Sequence, residues 1–292
     1  MTSFSTLSHE IEEIAARCAP GVVQVEARPG RPASGVLWDD NMVVTADHVV
    51  EEDDLIRVTG PPTMVKATVA GRDRGSDLVV LRTQGLRAKP LARGSSSDVR
   101  PGHLVLALGN PGNHQVTLGI VTGFSRPFRS WRGGETHHLI HTTAELLPGF
   151  SGGPLVDTEG RVIGINSWHY GRGVTLALPI DRAARVVQSL RTYGRIRRAY
   201  LGLGAQSLPL AEGNQFGVST GMLVVALEPG GPAATAGLEQ GDVIVTFDGD
   251  PVPRLDPLFD ALRDLEVGST HRLQVFRAGQ VKDLDITLGE RP

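Results

Sequence analysis

The sequence predicts a mainly β chain, two packed antiparallel barrels followed by a smaller α+β domain. Three observations lead there. Short runs rich in β-branched residues recur at close intervals, helix signals are scarce, and glycine punctuates the runs with turns, 36 of them in 292 residues. Nothing in the order of segments resembles the strand–helix alternation of a parallel sheet. A chain of 292 residues suits about two domains.

Taken in order, residues 8–16 read as a short amphipathic helix with Ile11, Ile14 and Ala15 on its apolar face. The strand-like runs of the barrels follow over residues 20–194. A helix-like run from 181 to 193 stops at Gly194, and the basic connector Arg195-Ile196-Arg197-Arg198 precedes a new β-rich segment. The expected division is an N-terminal helical segment (1–19), the barrel domain (20–194), a linker (195–199) and a second domain (200–292).

The stretch Pro148-Gly149-Phe150-Ser151-Gly152-Gly153-Pro154-Leu155 sets one serine in a glycine-rich turn between apolar runs. Ordinary hairpins share that composition. The same glycines, however, let the backbone gather its N–H groups, as an oxyanion forming at Ser151 requires. A serine hydroxyl is a weak nucleophile at neutral pH unless an imidazole takes its proton. Upstream, Val43-Val44-Thr45-Ala46-Asp47-His48-Val49-Val50 holds a histidine suited to that task. Gly75-Ser76-Asp77-Leu78-Val79-Val80-Leu81 places a carboxylate at a strand end, where it can fix the tautomer of an imidazole and stabilise its cation. Asp47 adjoins His48 in a strand-like segment, so its side chain is expected on the opposite face; Asp53, Asp54 and Asp73 are expected on solvated loops.

In this order, Ala46-Asp47-His48-Val49-Val50, Ser76-Asp77-Leu78-Val79-Val80-Leu81-Arg82 and the serine segment resemble the HtrA (Deg) branch of the chymotrypsin-like serine proteases. Leu108-Gly109-Asn110-Pro111-Gly112 and the run from Val116 to Val121 resemble that family's strand pair before the active-site loop. Val162-Ile163-Gly164-Ile165-Asn166 and Leu176-Ala177-Leu178-Pro179-Ile180 resemble its closing strands and exit into a helix. The resemblance implies a chymotrypsin-like double β-barrel with His48 as base, Asp77 as orienting carboxylate and Ser151 as nucleophile. It also implies the backbone N–H groups of Gly149 and Ser151 as oxyanion donors. Phe150 and Leu147 stand where the family commonly carries Asn, a departure that bears on whether the resting enzyme is active.

For the first specificity pocket two readings stand. Glu145 occupies the place where relatives selecting Lys or Arg carry an acid, and a buried carboxylate there would attract such side chains. Leu146 would instead line a pocket for Val, Ala or Leu, the reading that the HtrA resemblance favours. Ser167-Trp168 is expected to supply the strand edge on which an extended substrate pairs.

Residues 200–292 resemble a single PDZ domain. Tyr200-Leu201-Gly202-Leu203 is similar to the carboxylate-binding loop and first groove strand, and the run from Gly230 to Leu238 to the short helix before Gly241-Asp242-Val243-Ile244. The groove is expected between the strand at 201–203 and a helix over 258–265, with Leu258, Ala261 and Leu262 on one face. C-terminal peptides would add there as an extra strand.

Other features narrow the function. His137, His138 and His141 cluster, but in a strand His138 and His141 face opposite sides and no cysteine or acid completes a zinc set, so no metal is expected. No GxxxxGK loop is present, so energy coupling and cofactors are not implied. In a chain of net charge −3 the short basic connector reads as a solvated hinge rather than a nucleic-acid contact. The single Cys18 excludes an internal disulfide and is expected as a small buried hydrophobe. Neither an apolar leader nor a membrane span is legible, which favours the cytoplasm. The expected function is an ATP-independent serine endopeptidase of HtrA type in protein quality control, acting on unfolded or tagged proteins and regulated through its PDZ domain. The alternative is a proteolytically silent, chaperone-like peptide binder. The resemblance also implies a homotrimer built through N-terminal segments, where Phe4 would pack.

Overall fold

The computed structural model of the chain divides into two compact units, Met1–Ile196 and Arg197–Pro292. The structure describes residues 3–60, 63–125, 128–129, 135–136, 139–170, 175–197, 199–211, 218–253, 258, 262 and 265–290.

The first unit opens with helix α1 (Ser3–Cys18), longer than the expected 8–16 because no Gly or Pro interrupts the run before Pro20. Six strands then close a barrel: β1 (Val22–Glu26), β2 (Ala33–Asp39), β3 (Met42–Ala46), β4 (Arg57–Gly60), β5 (Thr63–Asp73) and β6 (Leu78–Thr83). Their order is β1-β2-β3-β6-β5-β4, with β4 pairing back onto β1. Next come β7 (Leu104–Gly109), β8 (Gln115–Phe124), the paired β9 (Phe128–Arg129) and β10 (Glu135–Thr136), β11 (Ile140–Thr142), β12 (Pro154–Val156), β13 (Val162–Ser167) and β14 (Thr175–Pro179). All but β9 and β10 close a second barrel in the order β11-β14-β13-β12-β7-β8. Helix α2 (Ile180–Tyr193) follows and ends at Gly194, whose φ of +71° is the left-handed C-cap that glycine supplies.

Successive strand residues point to opposite faces, and along β2, β3, β6, β7 and β13 both faces are largely covered, whereas β8 keeps one face exposed. Val23, Val25, Leu37, Val43, Val79 and Leu81 fill the first barrel. Their neighbours Val22, Val36, Val44, Leu78 and Val80 join Leu106, Leu108, Val156 and Ile165 of the second barrel in a core shared between the two. Double coverage is the reason these strands read as unbroken apolar runs rather than as alternation. Ile14 and Cys18 of α1 and Leu190 of α2 belong to the shared core. The Cys18 thiol donates to the Gly160 carbonyl at 3.4 Å, and burial pushes its pKa up. Inside the second barrel Val105, Ala107, Ile140, Leu155 and Phe150 pack together. A Cβ on Gly109 would strike the Phe150 ring, so this glycine makes room for it.

The second unit is an antiparallel sheet of β16 (Leu203–Pro209), β17 (Thr220–Leu227), β18 (Val243–Phe247), β20 (Thr270–Arg277) and β21 (Gln280–Thr287), with β19 (Asp250–Pro251) on β18. The short β15 (Ala199–Tyr200) pairs with β22 (Gly289–Glu290), and α3 (Pro232–Thr235) precedes β18. Strand β16 lies at the sheet edge. Arg277 grips the buried Asp242 with two hydrogen bonds of 2.6 and 2.7 Å, tying the end of β20 to the turn before β18. The helix expected over 258–265 falls mostly outside the described residues, Ala261 included. Leu258 and Leu262 are buried with Met222, Ile244 and Ile286 in the core of this unit.

Phe150 is fully buried among the second barrel's side chains. Phe150→Ala is therefore expected to cost about 3–5 kcal/mol. All three tryptophans, Trp38, Trp131 and Trp168, lie in the first unit, so denaturant unfolding followed by tryptophan fluorescence isolates the effect; an unchanged midpoint would contradict this packing role.

Candidate active site

The strand expected to run through His48 ends at Ala46, and Asp47–Val49 form a 3₁₀ turn. The turn is set by the Asp47 N–H donating to the Asp77 carbonyl at 3.0 Å. Asp47 is therefore not displayed on an opposite strand face: it is buried, with Arg72 Nη1 at 3.3 Å from Oδ1. Arg72 also binds Asp53. The turn carrying Asp77 is shaped by Asp73, whose carboxylate accepts from the N–H groups of Gly75 and Ser76 at 3.3 and 3.0 Å. Asp77 itself has φ +49°, a left-handed conformation that Asp tolerates better than most residues.

That backbone aims the Asp77 carboxylate at His48. Oδ1 accepts from the His48 backbone N–H at 2.9 Å, and Oδ2 accepts from His48 Nδ1 at 2.7 Å. Because a carboxylate only accepts, the proton sits on Nδ1 and the Nε2 lone pair is available. Oδ2 takes a further hydrogen bond from Ser167 Oγ at 2.5 Å. Asp77 is 2% exposed, and these three donors replace the water it has lost.

The serine lies in two consecutive turns. Phe150 N–H donates to the Leu147 carbonyl at 3.0 Å around Gly149, φ +88°, and Gly153 N–H to the Phe150 carbonyl at 2.9 Å around Gly152, φ +85°. Ser34 of β2 fastens them. Its hydroxyl donates to the Gly149 carbonyl at 2.6 Å and accepts from Asn110 N–H at 2.8 Å, while its own N–H donates to the Ser151 carbonyl at 3.2 Å. Gly152 N–H donates to the Asn166 carbonyl at 2.8 Å. Among the described residues, the N–H groups of Gly149 and Ser151 donate to nothing. Ser151 Oγ accepts from Trp168 N–H at 3.2 Å, and among the described residues no hydrogen bond joins it to His48.

Around the serine, Leu146 is buried and Glu145 exposed, so the acid is not the buried carboxylate that a basic side chain would seek. Trp168 Nε1 donates to the Leu146 carbonyl at 3.1 Å. Where an edge is expected at Ser167-Trp168, Ser167 ends β13 and pairs with Leu176 of β14, the β12 pairing on its other side stopping at Ile165; its hydroxyl is turned to Asp77, and Trp168–Tyr170 is a 3₁₀ turn. His141 lies in β11, whereas His137 and His138 fall outside the described residues. In the second unit, Gly202 has φ +74°; its carbonyl accepts from Glu228 N–H at 2.9 Å and that of Leu201 from Ala233 N–H at 2.8 Å. The N–H groups of Leu201 and Gly202 donate to nothing among the described residues, beside the edge strand that begins at Leu203. Tyr200 is half-buried and pairs with Gly289.

Comparison with known proteins agrees with this architecture. The trypsin-like peptidase domain family matches residues 33–165, and the PDZ domain family matches residues 199–288. A probable periplasmic serine endoprotease of DegP-like type from Pseudomonas fluorescens is 35% identical over 268 residues, 88% of this chain and 56% of the relative. The chloroplastic Protease Do-like 1 of Arabidopsis thaliana is 32% identical over 305 residues, covering 97% of this chain and 69% of the relative. The solved HtrA-type protease AlgW with a decapeptide superposes with a TM-score of 0.77 at 28% identity, over 96% of this chain and 98% of that one. The chain belongs to the HtrA (Deg) family. It spans little more than half the length of the bacterial relatives it matches.

For an HtrA-type chain the expected cytoplasmic placement has to be corrected. The relatives from Pseudomonas and Halomonas are named periplasmic endoproteases, which points outside the cytoplasm. The expectation was drawn from the opening residues alone, and a folded domain carries no physical trace of where it was delivered. Among the described residues no helix is long and apolar enough to cross a membrane. Peptide or protein ligands at the PDZ unit are in keeping with the family.

Sequence reasoning passed over Ser34, Asn110, His169 and Tyr170. The one available signal for Ser34 was a hydroxyl inside the apolar run that β2 became. Tyr170 is buried; its hydroxyl donates to the Ser76 carbonyl, bracing the Asp77 turn from behind. Burial, helped by the negative Asp77, pushes its phenol well above the ordinary value near 10. A raised folded pKa means stability that is complete below pH about 10 and lost as the pH climbs from there toward the folded value. Ultraviolet titration followed together with circular dichroism should accordingly show the Tyr170 phenol ionising only as the first unit unfolds; complete tyrosine ionisation with the fold still intact would refute the burial.

Proposed function

We propose that the chain is an ATP-independent serine endopeptidase that cleaves unfolded or tagged proteins. The observation that carries this reading is the Asp77–His48 pair, fixed at 2.7 Å, facing a serine turn with two N–H donors in reserve. Ser151 Oγ attacks the substrate carbonyl while His48 Nε2 takes its proton, and Asp77 stabilises the imidazolium. The tetrahedral oxyanion is met by the N–H groups of Gly149 and Ser151. His48 then returns the proton to the leaving amine, and water releases the acyl group by the same route.

Leu146, buried beside the serine turn, supports a pocket for Val, Ala or Leu, and the exposed Glu145 supports no basic preference. Ser151 Oγ is held by Trp168 N–H rather than by His48, which supports a resting form that must shift before attack. C-terminal peptides bind the second unit as a strand on β16, their carboxylate at the Leu201 and Gly202 N–H groups; Leu258 and Leu262 back the apolar side of the groove. Assembly as a homotrimer through α1, where Phe4 is 82% exposed, is tested by sedimentation, a pure monomer being the adverse result. The work is protein quality control outside the cytoplasm; the location rests on the names of the bacterial relatives, periplasmic endoproteases.

Reduced casein supplies the decisive assay. Wild type should cleave it after aliphatic residues and react with a fluorophosphonate, and Ser151→Ala should lose both. A wild-type protein that does neither, even with C-terminal peptides added, would establish the silent binding reading. Ser167→Ala, which removes one of three donors to Asp77, should lower kcat/KM about ten-fold with KM little changed, since it acts through charge that develops on His48.

A further inference from the structure

Beside the His48–Asp77 pair stands a second histidine for which hydrolysis has no use. His169 stacks on His48 with ring centroids 5.7 Å apart and planes inclined by 25°. Its backbone N–H donates at 3.0 Å to Ser167 Oγ, the hydroxyl that in turn donates to Asp77, so the turn carrying His169 is fastened to the pair. One ligand atom each from His48, Asp77 and His169 lies within 4.8 Å of the others, on residues that are buried or half-buried. Tyr170 stands edge-on to His169 at 6.4 Å, with its hydroxyl already engaged by Ser76.

We propose that His169 and His48 form an inhibitory site for zinc, which shuts the enzyme by taking the ring nitrogen that serves as general base. Two imidazole nitrogens suit zinc, whereas magnesium and calcium seek oxygen ligands. Metal-binding histidines usually donate their other ring N–H to a carboxylate, which fixes the tautomer and raises the basicity of the ligating nitrogen. His48 already has that arrangement through Nδ1 and Asp77, at 2.7 Å. Asp77 thus orients the ligand from behind, His48 Nε2 and one nitrogen of His169 bind, and water completes the tetrahedron. Ligands roughly 2.0–2.1 Å from zinc stand roughly 3.3 Å apart, so His169 closes on the metal by side-chain rotation.

The blocking of hydrolysis rests on the catalytic reading above; the binding of zinc does not. Calorimetric titration of zinc into Ser151→Ala at about pH 7.5, where imidazole is mostly neutral, is compared with the same protein also carrying His169→Gln. Exposed histidines such as His9 on α1 can bind zinc weakly, so the difference between the two proteins is what reads the site. The expected result is one binding event that His169→Gln weakens at least about ten-fold, and a tetrahedral cobalt spectrum that needs His169. His169→Ala gives the same loss, and near-ultraviolet circular dichroism checks its fold. In the casein assay zinc, but not magnesium, should inhibit wild type reversibly with a chelator, each variant being judged against its own metal-free rate. The inhibiting concentration should rise about ten-fold in both variants. Equal zinc binding with and without His169 overturns the proposal, as does inhibition that is the same in all three proteins. A chain that binds zinc through His169 yet cleaves nothing leaves this site standing and removes the catalytic reading.

Discussion

The serine turn can exist only because Gly152 presses against the first barrel. A Cβ there would run into Thr45 Oγ1, the Ser34 carbonyl and the Ala46 N–H, and its φ of +85° is one that other residues resist. Ser34 completes the contact with hydrogen bonds to the carbonyls of Gly149 and Ser151, and Thr45 Oγ1 donates to the Ser34 carbonyl at 2.6 Å. A loop of the second barrel is thereby locked, through its backbone, to the strands of the first. The position of Ser151 relative to His48 follows from this lock, since β3 carries Thr45 and delivers the chain to His48 directly afterwards.

The same dependence appears on a larger scale. His48 and Asp77 come from the first barrel, and Ser151, Ser167 and His169 from the second, so the site exists only while the barrels hold their distance. The shared core sets that distance, with Val36, Val44, Leu78 and Val80 meeting Leu106, Leu108, Val156 and Ile165. Dense apolar packing resists small displacements, and that stiffness lets a buried charge be served by hydrogen bonds of 2.5–2.9 Å rather than by water.

Phe150 shows how such a site accommodates change. The family commonly places a polar residue there, and this chain places an aromatic ring in the second barrel's core against Gly109. The ring anchors the turn from below while the N–H of Phe150 still closes it onto Leu147. The turn is held from both sides, Ser151 Oγ accepts from Trp168 N–H, and His169 stacks on His48.

By itself the sequence determined the barrels, the terminal β unit and the family, because their signals are local: β-branched runs, glycines at forced turns, and chemically matched His, Asp and Ser segments in order. The helix stop at Gly194 was legible for the same reason, one residue supplying one conformation. Tertiary structure alone decided what each side chain meets. Asp47 reads as a strand residue facing away, yet a backbone hydrogen bond from Asp47 to the Asp77 carbonyl bends the chain and buries it beside Arg72. Ser167 reads only as part of a strand edge, with no sign that its hydroxyl serves Asp77, and His169 carries no pattern at all until the turn lays it on His48. Those outcomes depend on contacts between residues far apart in the chain, which local propensity cannot encode and only the packing of one barrel on the other resolves.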